Sequence, residues 1–234
     1  MRSTDMTPRR GFLARALAGA AAAGWSTMTL RASGAIEQAG ASDGWLKEVP
    51  GKSRCFFDCP QHMNGFGLVH ILNYLAAYPA GQAGVASSFY GVGPASSIAL
   101  GFNDAMWAKY GLGEILGLKD ASGKPYTRNV FFSPTKADGH LLAQRTQIPS
   151  SIAMLGDALV GSSIPSLQKM GTKFLLCNNA LGLWTLELEA RGKGTAAAID
   201  KELRANLVPG VTIVPAMVAA IEQAQAAGLS YNRQ

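Results

Sequence analysis

Gly171-Thr172-Lys173-Phe174-Leu175-Leu176-Cys177-Asn178-Asn179-Ala180-Leu181 is the stretch whose reading decides the fold. The apolar run ending at Cys177 predicts a buried strand, and Asn178-Asn179 directly after it predicts a turn into a helix. Strands of this kind alternate with helical patterns along the rest of the chain. That alternation predicts an α/β protein with an open, mostly parallel sheet and helices on both faces. A thiol at the carboxyl end of such a strand, facing a helix amino terminus, sits where these folds place their chemistry. The helix dipole there favours a thiolate, the reactive form of cysteine. The competing reading is a small buried hydrophobe, a common fate of free cysteine.

Working outward, the expected elements are a strand at Ser53–Asp58, a helix at Gly67–Tyr78 and a strand at Val85–Tyr90. A short helix from Ala95 to Phe102 and a second near Asn103–Tyr110 come next. After Thr172–Cys177 come helices at Leu183–Ala190 and Ala196–Ala205, a last short strand within Pro209–Pro215, and a closing helix at Ala216–Ala227. A helix over Ser151–Met170, restarted at Pro165, precedes the cysteine strand. Residues 114–149 read as an irregular insertion, and Asn129–Ser133 within it as a short strand or a lid segment.

The 234 residues are 48% hydrophobic and 15% charged, which suits a packed core and argues against disorder. The formal charge of +6 is concentrated at the amino terminus, where residues 1–35 carry five arginines and one aspartate. The remainder is close to neutral and has no basic run interleaved with aromatics, so nucleic-acid binding is not expected. Thr7-Pro8-Arg9-Arg10-Gly11-Phe12-Leu13, then a small-residue stretch and Ser33-Gly34-Ala35, resembles a twin-arginine export signal cut after Ala35. Residues 36–52 then form a linker or arm with Trp45 as its anchor candidate, and residues 53–234 form one domain. Export implies the periplasm, with no transmembrane span left after cleavage.

Three cysteines are present, Cys55, Cys59 and Cys177. Cys55 and Cys59 lie roughly 13 Å apart along an extended strand, too far for a disulfide unless the chain turns sharply. Cys55 is expected in the core. Cys59, at a strand end, is expected to approach Cys177 as a disulfide or relay partner if their strands are neighbours. Asp58, Cys59 and His62 are metal-ligand types, but zinc sites usually show tighter ligand pairs, and His62 is better read as a thiolate partner or base. Asn178 and Asn179 are capping residues or amide donors to a sulfur substrate. Gly91 and Gly93 follow a strand too briefly for a dinucleotide fingerprint and read as a tight turn at the same sheet edge.

These residues resemble the DsrE/DsrF-like sulfur-transfer family. The resemblance rests on Gly171–Leu181, on Leu207–Val218 with Gln225 and Gly228–Tyr231, on Val69–Leu75 and on the strand closing at Tyr90-Gly91. It covers roughly Ser53 to Tyr231, with residues 114–149 as an insertion. It implies a compact layered α/β fold akin to flavodoxin-like layers, often oligomeric, and a persulfide carried on Cys177, passed to or from a relay partner. Export and Cys59 set this chain apart from the better-known cytoplasmic members. The alternatives are a non-catalytic small-molecule-binding or assembly protein with an inert buried Cys177, and a flavin or nucleotide binder. The sequence names no cofactor.

Overall fold

The computed structural model describes residues 39–234, so the export signal expected at residues 1–35 lies outside the described residues. Five strands form one sheet: β1 (Ser53–Asp58), β2 (Ala83–Phe89), β3 (Thr172–Cys177), β4 (Thr212–Val214) and β5 (Ser230–Arg233). Their order is β4-β3-β2-β1-β5, and every pairing is parallel. The helices are α1 (Phe66–Ala76), α2 (Asp104–Tyr110), α3 (Leu112–Ile115), α4 (His140–Ala143), α5 (Ala153–Gly161), α6 (Ile164–Lys169), α7 (Asn178–Ala190), α8 (Ala196–Ala205) and α9 (Met217–Ala226). None of them is long and apolar enough to cross a membrane.

The chain steps from β1 to β2, β3 and β4 in one direction, then returns across the whole sheet to β5. Right-handed crossovers put the first three connections on one face and the last, through α9, on the other. Side-chain contacts agree. Cys59 Sγ lies 3.0 Å from where a Cβ on Gly67 of α1 would stand, and Phe57 packs edge-on against Tyr74 of α1. On the other face Arg54 Nη2 donates to the Ala227 carbonyl just past α9 (2.6 Å), and Trp45 packs edge-on against Phe56. Trp45 is therefore a buried anchor, within a 3₁₀ segment spanning Ala39–Glu48.

All seven residues of β2 are buried, as expected of a central parallel strand covered on both sides. Most of them are Ala, Gly or Ser, and one is small for a visible reason. A Cβ on Gly84 would stand 2.1 Å from the Pro50 carbonyl oxygen, so the Val49–Gly51 segment can cross the amino edge of the sheet only over glycine. Phe89 and Phe174 stack at 4.9 Å between β2 and β3.

Several expectations need correction. β4 is not the last strand. Ser230–Arg233, exposed at every residue and too polar for an apolar-run reading, adds to the free edge of β1. The helix after β3 begins at Asn178, with no intervening turn. The expected helix over Ala95–Phe102 shortens to a 3₁₀ turn at Ile98–Gly101. The insertion is not a lid: Val130, Phe131, Leu141 and Leu142 are core residues. Its polar framework is equally fixed. Asp138 accepts from Tyr126 Oη (2.6 Å), Arg128 Nη2 (2.6 Å) and the Thr135 N–H (2.7 Å). Asn129–Ser133 is a turn whose first three residues are buried, and its Asn129 side chain donates to the Leu100 and Phe102 carbonyls, both at 2.9 Å.

Candidate functional site

Cys177 is the last residue of β3 and the N-cap of α7, with extended backbone angles (φ −74°, ψ 119°) that let the strand run directly into the helix. Its sulfur accepts from two backbone N–H groups, Ala180 in the first turn of α7 (3.5 Å) and Met217 at the start of α9 (3.4 Å). The two helices lie on opposite faces of the sheet. β3 hands its chain to α7 on one face, while its neighbour β4, paired through Cys177 and Val214, hands its chain to α9 on the other. Adjacent strands whose connections part in this way open a crevice at their carboxyl ends, the usual ligand position of open α/β sheets. Cys177 stands at that point. Two helix amino termini direct N–H groups toward its sulfur, an arrangement suited to holding negative charge. The residue is only 5% exposed.

The asparagines after it have other partners. Cys177 itself is the cap, so neither asparagine fills the capping role expected of it. Asn178 Oδ1 accepts from Arg204 Nη2 of α8 (2.7 Å), and Asn179 is exposed.

Cys59 does not approach Cys177. β2 lies between their strands, so the separation is two strand spacings, roughly 10 Å, beyond disulfide reach. The two thiols also lie on opposite faces, Cys59 against α1 and Cys177 against α9. All three cysteines are free and buried. Burial pushes the Cys59 thiol up to about 12, only partly offset by the Ser87 hydroxyl that donates to its sulfur (3.7 Å). Cys55, deep in the core, is pushed up by the same cause.

His62 fastens two loops together. Its Nδ1 accepts from the Asn64 N–H (3.1 Å), and its Nε2 lies 3.2 Å from the Pro94 carbonyl in the loop after β2. Burial lowers its basicity below that of an ordinary histidine. Gly91 (φ +91°) belongs to the same loop pair, where a Cβ would meet the Pro60 carbonyl oxygen at 2.8 Å. The Gly93 N–H donates to Glu187 Oε2 of α7 (3.1 Å). These residues therefore shape the sheet edge and lie in its loops.

Asp58 is buried on the α9 face. Its carboxylate accepts from Tyr231 Oη of β5 (2.6 Å) and Ser88 Oγ of β2 (3.3 Å), and Ser88 Oγ in turn accepts from the Cys59 N–H (2.8 Å). The Tyr90 phenol also lies against it. Burial first, and then the Asp58 hydrogen bond, makes Tyr90 a weaker acid than usual, while for Tyr231 the Asp58 hydrogen bond leads. Tyr90 follows Phe89 as Cys177 follows Leu176, so the phenol and the thiol stand on adjacent strands at one register step and on one face. Sequence reasoning missed Ser88, Tyr90 as a side chain, and Tyr231. The signal available was the two-residue spacing of Ser88 and Tyr90 on one strand, which is uninformative until the strand order places them beside Asp58 and Cys177.

No protein-family model matches this chain, and no curated protein matches it. Among solved structures, a protein of unknown function, MTH1491 from Methanobacterium thermoautotrophicum, is similar at 14% identity. The match covers 78% of this chain and 100% of that one, with a TM-score of 0.37. At that score the likeness carries no argument about function.

Proposed function

We propose that the protein is an exported DsrE-like carrier of sulfane sulfur, loaded on Cys177. The observation that carries this reading is the pair of N–H groups, from α7 and α9, that converge on one sulfur at the sheet's switch point. The resemblance of Gly171–Leu181 and Leu207–Val218 to the sulfur-transfer family supports it from the sequence side. In the proposed step the Cys177 thiolate attacks the outer sulfur of a donor persulfide, R–S–SH. The donor S–S bond breaks, R–S⁻ leaves with the bonding pair, and Cys177–S–SH remains with the transferred sulfur and its proton. The Ala180 and Met217 N–H groups hold the negative charge on sulfur before attack. Passage to an acceptor thiol is the same exchange run toward a relay partner.

Mass spectrometry of the purified protein, after incubation with glutathione persulfide, tests this. A mass gain of one sulfur atom that maps to Cys177 and is absent from Cys177→Ser is expected. An unmodified Cys177 under conditions that load a control persulfide acceptor refutes it. The second reading, a binding or assembly protein with an inert Cys177, is favoured by one observation: Cys177, a residue 5% exposed, already serves as the N-cap of α7. Under that reading Cys177→Ser leaves the cellular phenotype unchanged. Export is carried by Arg9-Arg10 within Thr7–Leu13, and Arg9→Lys with Arg10→Lys is expected to leave the protein in the cytoplasmic fraction.

A further inference from the structure

Cys177 is flanked on the sheet by Val214 of β4 and by Tyr90, just past β2. Val214 is buried, as are Ala180 and Met217, whose N–H groups reach the sulfur. Tyr90 is the partly exposed member of this set, so an approach to the thiol along the sheet passes its ring. We infer that Asp58 holds this ring aside from Cys177, and that Tyr90 thereby decides what size of molecule reaches the thiol. The inference concerns access and does not depend on sulfur being what Cys177 carries.

Three features support it. The backbone of Tyr90 is pinned: its N–H donates to Ser97 Oγ (3.0 Å) and its carbonyl accepts from the Ser97 N–H (3.1 Å). What stays free is rotation of the ring between staggered wells. The phenol meets the carboxylate of Asp58, the last residue of β1. β1 and β3 lie on opposite sides of β2, so a phenol drawn to Asp58 is drawn away from Cys177. Asp58 is itself fixed from two sides, its Oδ2 by the Tyr231 hydroxyl (2.6 Å) and its Oδ1 by the Ser88 hydroxyl (3.3 Å). It is 2% exposed and forms no ion pair among the described residues, which is rare for a buried carboxylate. Hydroxyl groups are its side-chain partners, and a fixed acceptor of hydroxyls is what a phenol latch requires. A ring without its hydroxyl loses the latch. It then gains by leaving a buried carboxylate for the apolar surroundings of the thiol, Val214 and Met217.

Alkylation of the native protein by iodoacetamide, mapped to Cys177 by peptide mass spectrometry, tests this with two variants. Rates are taken on the alkaline plateau, where they report access and not acidity. Tyr90→Phe keeps the ring and removes the latch. It is expected to react about tenfold more slowly, as for a thiol left open about a tenth of the time. Tyr90→Ala removes ring and latch together and should react at least as fast as the parent. Opposite signs identify a gate, because loosened packing would speed alkylation of a buried thiol in both variants. The bulkier N-ethylmaleimide should gain more from Tyr90→Ala than iodoacetamide does. Tyr90→Phe at the parent rate or faster, a slowed Tyr90→Ala, or an equal gain for both reagents overturns the inference. Both reagents alkylate any accessible thiolate, so failure here is distinct from failure of sulfur loading on Cys177.

Discussion

Cys177 has two jobs in this structure, and a substitution has to separate them. As N-cap of α7 its sulfur accepts the Ala180 N–H, and it also accepts from Met217. Serine keeps an acceptor at that place, whereas alanine removes it, and loss of an N-cap acceptor costs about 1 kcal/mol. Cys177→Ala is thus expected to melt several degrees below Cys177→Ser in a thermal scan, while neither variant carries sulfur. Cys59 gives a pH signature of its own. Its thiol has a pKa raised from 9.0 to about 12 by burial. The unfolded chain ionises first, so the stability from keeping the thiol neutral is complete below about pH 9 and is lost as pH rises toward 12. Urea unfolding at about pH 8 and about pH 10.5 should show a larger loss for the parent than for Cys59→Ala. His62 runs the other way. Its basicity is depressed by burial, so its contribution is present above pH 6.5 and is lost as pH falls below that. Position at a strand end was legible for Cys177 from Lys173–Leu181 alone. The partnership of Cys59 with Cys177 was misread because pairing depends on strand order and face, and neither is encoded in the spacing of two cysteines.

At the scale of elements, the apolar strands declared themselves and the polar one did not. β1, β2 and β3 are buried for most of their length, and each carries apolar residues between turn residues. β5 is Ser-Tyr-Asn-Arg, exposed along its length, and has no such pattern. It is held by backbone pairing to β1 and by the Tyr231 hydroxyl on Asp58. Tyr231→Phe removes that hydrogen bond and is expected to cost about 1 kcal/mol, allowing for the partial exposure of the phenol. Hydrogen exchange should show the loss first at β5 amides. The amino edge tests close packing instead. Gly84→Ala places a methyl 2.1 Å from the Pro50 carbonyl, so the backbone has to move, at a cost of about 2 kcal/mol. That variant should melt lower and expose Trp45 to fluorescence quenchers. The insertion was unreadable for a related reason. Its order comes from single buried side chains such as Phe131 and Asn129, which obey no period.

Across the whole molecule, Cys177 stands at the carboxyl end of β3, beside β4. The strand order has a further result for how the protein is made. β1 pairs with β5 across 175 positions, Asp58 with Arg233, while β1 to β2 is a local step. During synthesis β1, β2, β3 and β4 can assemble in the order they emerge. The outer backbone edge of β1 and the buried Asp58 beside it then stay uncovered until α9 has been translated and has swung back across the sheet. A nascent chain paused within α8 or α9 therefore presents an unpaired, apolar strand edge, the kind of surface that chaperones hold and that aggregation begins from.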